Sequence, residues 1–516
     1  MTAPLVVVAL DACDRDLVSR WVAEGRLPTI RSLTESGCHG TIAGRQIVSE
    51  LGTWVSAWSG RSRAHGYYSY RQLEPGTYDL VTRSPADADT KPFWAELRES
   101  GLRCAVVDPP EAGLVAGLEG AQLTNWLTAQ PATAVQTPQA EPPQLLETAH
   151  GISRATPAVV PFVPGGRVAD DRKAHAALLQ SVADRAELCR SVLAQGPFDF
   201  VLIGFAEVHK GSHRFWDYRP EAAGSELARS DRALENGIRD LYEATDRALA
   251  AILAEVPEHN VVLLSVYGMR DDYPTPDLID SFLTELGYRV PAAGGGSGRR
   301  SNPLALGRVV LPESVRARLG GRLPLHVQER LIADRFRTGT QWERTEAFAI
   351  PGLYTSYVRV NLEGREPSGI VAPGEHYEDV LARLEEDLYA LVDPVDGRPA
   401  VELVTRAADL DDGEPPRVLP DLFVRWTPSR HLRRRLEHPR AVVTQAVPGF
   451  LRGSEHSIEG FIAASGPGID ARGEIGTVSL LDVAPTLLGL LDRPAPEAMT
   501  GHPLPMLPSA EHGPER

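Results

Sequence analysis

The stretch Phe198-Asp199-Phe200-Val201-Leu202-Ile203-Gly204-Phe205-Ala206-Glu207-Val208-His209-Lys210-Gly211-Ser212-His213-Arg214-Phe215-Trp216 decides how this chain is read. It opens as an apolar run of about seven residues, too short for a helix, which predicts a buried strand. It then turns polar and carries Glu207, His209 and His213. Residues just past the carboxyl end of a parallel strand face the crevice where α/β proteins bind ligands. Two histidines four apart share one face of a helix and can converge on one cation. An isolated H-x-x-x-H pair is usually incidental, so the rest of the chain has to support a site.

Downstream, residues 231–256 read as a long amphipathic helix feeding the apolar strand Val261 to Gly268. Strand, helix, strand in that order is the signature of a parallel sheet covered on both faces. Upstream, Leu5 to Asp11 reads as a buried strand ending in a carboxylate. Leu27 to Gly37 reads as a helix with Pro28 near its start and glycine as its stop. Leu102 to Pro110 is a strand halted by two prolines. Residues 127–165, rich in Pro, Ala, Gln and Thr, suggest an extended excursion, and Ala292 to Gly298 a flexible linker. Leu353 to Asn361 alternates like an edge strand, and Tyr377 to Val392 is helical in pattern. Pro420 to Trp426 and Gly460 to Gly466 read as further strands. No internal repeat is visible.

At 516 residues the chain can bury a large core. No apolar run reaches the roughly 18 residues of a membrane helix. The amino terminus lacks a basic segment, and its apolar run ends in Asp11, so it is read as a core strand rather than a signal peptide. Cys13, Cys38, Cys104 and Cys189 show no C-x-x-C spacing, which favours reduced thiols and a cytoplasmic location. The formal net charge of −16 argues against nucleic acid or an anionic membrane as partner. It leaves room for an anionic small molecule, because a bound cation reverses the field inside a pocket.

Taken collinearly, several strings resemble the alkaline-phosphatase superfamily, in its type I phosphodiesterase/nucleotide-pyrophosphatase-like branch. They are Asp11 with Gly25 to Pro28, Trp54 to Gly60 with His65-Gly66, and Asn361 to Val371. Pro420-Asp421-Leu422, Gly453-x-x-His456-x-x-Glu459-Gly460 and Asp482 to Thr486 complete the series. The resemblance implies an α/β/α sandwich with a mostly parallel central sheet and an inserted cap region. The expected division is a discontinuous core of 1–270 and 346–500, an insertion or cap at 271–345 and a tail at 501–516.

Such proteins hold two divalent metals, usually zinc, on a D-x-x-x-H pair, a late histidine, the first-strand aspartate and an S-D-H-G strand end, beside a threonine or serine nucleophile. Mapped onto this chain, the D-x-x-x-H pair becomes His209-x-x-x-His213 and the late histidine is His456. The S-D-H-G end reads Ser265-Val266-Tyr267-Gly268, which loses both of its ligands. The nucleophile position falls on Glu50, with Ser49 one residue away and Thr53 nearby.

The expected site is therefore a single cation on His209, His213 and His456, zinc first, with iron or manganese compatible. With only neutral ligands, the full divalent charge would be uncompensated by them, and a metal-bound water could reach a pKa near ~7. Glu50 is a fourth ligand or the general base. Asp11 retains a site role, and Tyr267 is an acid or a filler of the lost metal's space. Ser49, Thr53 and Lys210 are candidate substrate-binding groups, each with a plainer role in turn backbone or solvated surface. Glu207 either pairs with an arginine or orients His209 or His213. The expected activity is hydrolysis of a phosphate ester, phosphodiester or related anionic small molecule. The alternatives are a repurposed mononuclear lyase or oxygen-using enzyme of specialised metabolism, or a non-catalytic relative. Substrate identity and oligomeric state are not legible.

Overall fold

The decisive stretch folds as read: Phe200–Phe205 is a fully buried strand and Glu207–Phe215 a helix. The computed structural model describes residues 3–44, 47–126, 137–153, 167–292, 325–352, 354–410, 414–448, 451–470 and 473–506, the side chains of 325 and 326 apart. The chain forms two units, one of Met1–Tyr68, Ser84–Asp271 and Gly453–Arg516, the other of Ser69–Arg83 and Asp272–Arg452.

The first unit carries these strands in chain order: β1 Leu5–Leu10, β2 Cys38–Ala43, β3 Cys104–Val107, β4 Gly120–Thr124, β5 Gln139–Glu141, β6 Phe200–Phe205 and β7 Asn260–Ser265. They are followed by β8 Met269–Asp271, β9 Ser454–His456, β10 Gly460–Ser465 and β11 Gly473–Ser479. Nine of them make one sheet in the order β11-β2-β10-β7-β1-β6-β3-β4-β5. The central run β7-β1-β6-β3-β4 is parallel throughout. Its strands are apolar on both faces because helices cover both. The fold is thus α/β with a mostly parallel central sheet. β1 lies between β6 and β7, so the carboxyl ends of these three neighbours open on one crevice. The short pair β8 and β9 is antiparallel, with Met269 opposite His456.

Several sequence expectations change here. The helix expected over 231–256 begins only at Gly237. Ahead of it the Asp231 carboxylate accepts from Ala233 N and from Arg172, which holds a turn. The described part of the 127–165 excursion is not extended: it supplies the edge strand β5 and the helix Gln144–Ile152, pinned by buried Leu145 and Ala149. Of the 501–516 tail, Leu504 and Met506 are buried in the core of the first unit. Residues 346–452, expected in the core, pack with the second unit. Of the expected linker Ala292 to Gly298, residues 293–298 lie outside the described residues.

The second unit has a four-stranded antiparallel sheet, in the order Ala347–Ile350, Ser356–Val360, Leu422–Trp426, Val401–Arg406. Ser356–Val360 is an interior strand, buried on both faces, rather than the edge strand its alternation suggested. Arg365 binds Asp421 at 2.7 Å and Asn361 Nδ2 donates to the carbonyls of Trp342, Thr345 and Ser368. These motif residues of the second unit therefore serve its architecture. Among the described residues no helix is long and apolar enough to cross a membrane, and the four cysteines form no disulfide.

Candidate metal centre

His209 and His213 stand on one face of the helix Glu207–Phe215, directly after β6. His456 ends β9 and reaches the same point from the other side. His456 Nε2 lies 2.8 Å from His209 Nε2 and 3.2 Å from His213 Nε2. Ligand atoms on a tetrahedral zinc with bonds of about 2.0–2.1 Å sit about 3.3 Å apart, so the spacing suits a cation. All three ligand atoms lie within 4.8 Å of one another.

The opposite ring nitrogens each meet an oxygen. His209 Nδ1 is 2.7 Å from Asp11 Oδ2, His213 Nδ1 is 3.1 Å from Ser454 Oγ, and His456 Nδ1 is 2.6 Å from Glu455 Oε1. An ionised carboxylate only accepts, so the proton of His209 sits on Nδ1 and its Nε2 presents a lone pair toward His456. Lone pairs facing each other at 2.8 Å repel unless a proton or a cation lies between them. The donor set therefore fits a divalent cation.

Asp11 is saturated. Its Oδ1 accepts from Trp54 Nε1 and from the Tyr267 hydroxyl, both at 2.8 Å, while Oδ2 serves His209. Burial raises its pKa, but His209, Trp54 and Tyr267 together outweigh burial and hold it at about 2. Asp11 thus orients His209 instead of facing open space. The Tyr267 phenol, whose pKa burial pushes well up with Asp11 adding to the effect, aims its proton at that carboxylate. Val266 beside them is apolar and fully buried, and neither candidate cation group among the described residues includes Asp11 or Tyr267. A second convergence of Glu50, Glu455 and His456 does exist, and it shares His456 with the first.

Glu50 sits in the turn before the helix Thr53–Ser59, with its carboxylate within 4.8 Å of ligand atoms of Glu455 and His456. Gly52, at φ +79°, makes that turn possible: a Cβ there would meet Tyr67 O at 2.2 Å. Ser49 Oγ donates to Leu51 O and Tyr68 O, and Thr53 Oγ1 to Ser49 O at 2.6 Å, so both hydroxyls hold the turn. His65 bonds Ser56 Oγ at 3.0 Å, a structural contact. Lys210 is half-buried, and burial lowers its pKa against the pull of Glu207. Glu207 turns away from the histidines to ion-pair the fully buried Arg185 at 3.0 Å, which also binds Asp108 at 3.0 Å.

Sequence reasoning missed Glu455, Ser454, the Trp54 contact and Glu111. Glu111 accepts from Gly52 N at 2.9 Å and Trp54 N at 3.1 Å, clamping the turn that carries Glu50. Its only sequence signal was its place after Pro109-Pro110. Burial lifts its pKa from 4.5 to about 7, despite the N–H donors and Arg63. A carboxyl raised in this way stabilises the fold fully below its unfolded pKa, and that contribution fades as pH climbs through about 7. Glu111→Gln is therefore expected to flatten the stability–pH curve from about pH 5 to about pH 8, by up to ~3 kcal/mol, in urea melts.

No protein-family model matches the chain, and no curated protein does. Among solved structures, human ectonucleotide pyrophosphatase/phosphodiesterase 5 aligns over 96% of this chain and 96% of its own, at 9% identity and a TM-score of 0.45. The murine protein, in an inactive form with AMP, aligns over the same shares at 10% identity and a TM-score of 0.45. Both are named as ectonucleotide pyrophosphatase/phosphodiesterases. Likeness at this level leaves substrate and chemistry to be argued from the side chains.

Proposed function

We propose that the chain is a metal-dependent hydrolase of a phosphate ester, phosphodiester or related anionic small molecule, with one divalent cation on His209, His213 and His456. The observation that carries this is the convergence of three Nε2 atoms, two of them 2.8 Å from each other and the third 3.2 Å from His456. A divalent cation held there supplies a Lewis acid that polarises an ester oxygen and acidifies water. Glu50 takes the proton released from the attacking water, its carboxylate lying within 4.8 Å of ligand atoms of Glu455 and His456. Asp11 fixes the tautomer of His209 and the direction of its lone pair. Lys210, one residue from His209, holds the substrate's negative charge, while Ser49 and Thr53 hold the turn that carries Glu50. Zinc suits the three imidazoles best.

A second reading, a mononuclear lyase or oxygen-using enzyme, draws on one observation: Glu50 beside His456 makes a three-histidine, one-carboxylate set that iron or manganese also accept. Elemental analysis of protein purified without added metal, followed by assay on aryl phosphomonoesters and phosphodiesters, tests both. About one zinc per chain with chelator-sensitive hydrolysis supports the hydrolase. Iron or manganese without hydrolysis supports the second reading, and a metal-free, metal-refusing protein contradicts both.

A further inference from the structure

We infer that Glu455 is a positioning residue for His456, and that with Asp11 it supplies the two negative charges that balance the cation one layer beyond the histidines. The inference rests on the three histidines being metal ligands. Three neutral imidazoles leave a divalent charge unanswered within the ligand shell, and such a charge is costly in a buried crevice. The carboxylates that answer it come from separate strands. Asp11, at the end of β1, is 7% exposed and its Oδ2 is 2.7 Å from His209 Nδ1. Glu455, in β9, is 4% exposed and its Oε1 is 2.6 Å from His456 Nδ1. The Nδ1 of the third ring, His213, lies 3.1 Å from a neutral hydroxyl, Ser454 Oγ.

A carboxylate behind a ligating imidazole makes the ring a stronger donor and fixes which nitrogen faces the metal. The Glu455 contact lies off the ring N–H axis, so charge rather than an aligned hydrogen bond carries it. Glu50 brings a second carboxylate within 4.8 Å of that of Glu455, and two such charges side by side favour a cation next to them. Arg270, which faces Glu455 across the β8–β9 pair, is a further cation in the register of that carboxylate. The substitution tested must therefore remove charge while keeping shape.

The experiment is chelator-competition titration of cobalt(II) and zinc into wild type, Glu455→Gln, Glu455→Asp and Ser454→Ala. The cobalt d–d spectrum and the melting temperature of the metal-free protein are recorded alongside. Glu455→Gln is expected to bind about 10- to 100-fold more weakly with an altered cobalt band, and Ser454→Ala within about threefold of wild type. Glu455→Asp, which keeps the charge, restores most of the affinity, and metal-free melting stays unchanged. Glu455→Thr, a second neutral variant, serves if Glu455→Gln does not fold. Wild-type affinity and spectrum in the neutral variants overturn the role of Glu455 alone. A wild-type chain that binds no metal overturns the metal centre itself, and this role with it.

Discussion

His456→Ala is expected to abolish tight binding of the divalent cation, weakening it by at least about a thousandfold. Structural zinc on four ligands is worth on the order of 10–16 kcal/mol, so each ligand accounts for several kcal/mol. Of the three proposed ligands, His456 is the one whose loss is expected to do most damage, because it alone comes from outside the helix Glu207–Phe215. Its Nε2 is the atom to which both other rings are directed, at 2.8 and 3.2 Å. His209 and His213 left alone form an i, i+4 pair with half the coordination sphere open to water. Dialysis followed by elemental analysis reads the loss directly. Melting curves give a second readout, since a ligand that binds only the folded state raises the midpoint in proportion to its saturation. Added zinc is expected to raise the wild-type midpoint and leave that of His456→Ala flat.

The second large effect falls on chemistry and leaves binding intact. Glu50→Gln is expected to lower kcat for phosphoester hydrolysis by about 10²- to 10⁴-fold, the range for removing a general base. KM and metal stoichiometry are expected to stay near wild type. The turn that aims Glu50 is fixed independently of the glutamate, by Gly52 in the left-handed region and by Glu111 on the amides of Gly52 and Trp54. Glutamine therefore tests the proton and not the fold. A parallel fall in metal affinity would reassign Glu50 as a fourth ligand.

The parts of this structure legible in the sequence are those written in short, local patterns. Phe200–Phe205 and Leu5–Leu10 are unbroken apolar runs, and such runs belong to strands covered on both faces. The spacing of His209 and His213 fixed their shared helix face, since that depends only on helical geometry. His456 entered through the order of the surrounding motifs, with no local signal of its own.

What stayed hidden depends on contacts between distant segments. Glu455 precedes His456 in a strand of ordinary composition, and its meaning arises only when the ring turns its Nδ1 toward it. Glu111 lies far along the chain from the turn it clamps. Glu207 was ambiguous until Arg185, on the helix Val168–Leu193, was seen to claim it. Ser356–Val360 alternates in sequence but is paired on both sides. Alternation reports the polarity of two faces and does not reveal which neighbours hydrogen-bond to the strand.

X-ray absorption at the metal edge of the protein as purified tests the three-histidine centre most directly. The expected spectrum has a first shell of nitrogen and oxygen at about 2.0–2.1 Å for zinc, with outer-shell scattering that requires three imidazole rings. A stoichiometric metal with one imidazole or none, or no stoichiometric metal at all, would contradict it.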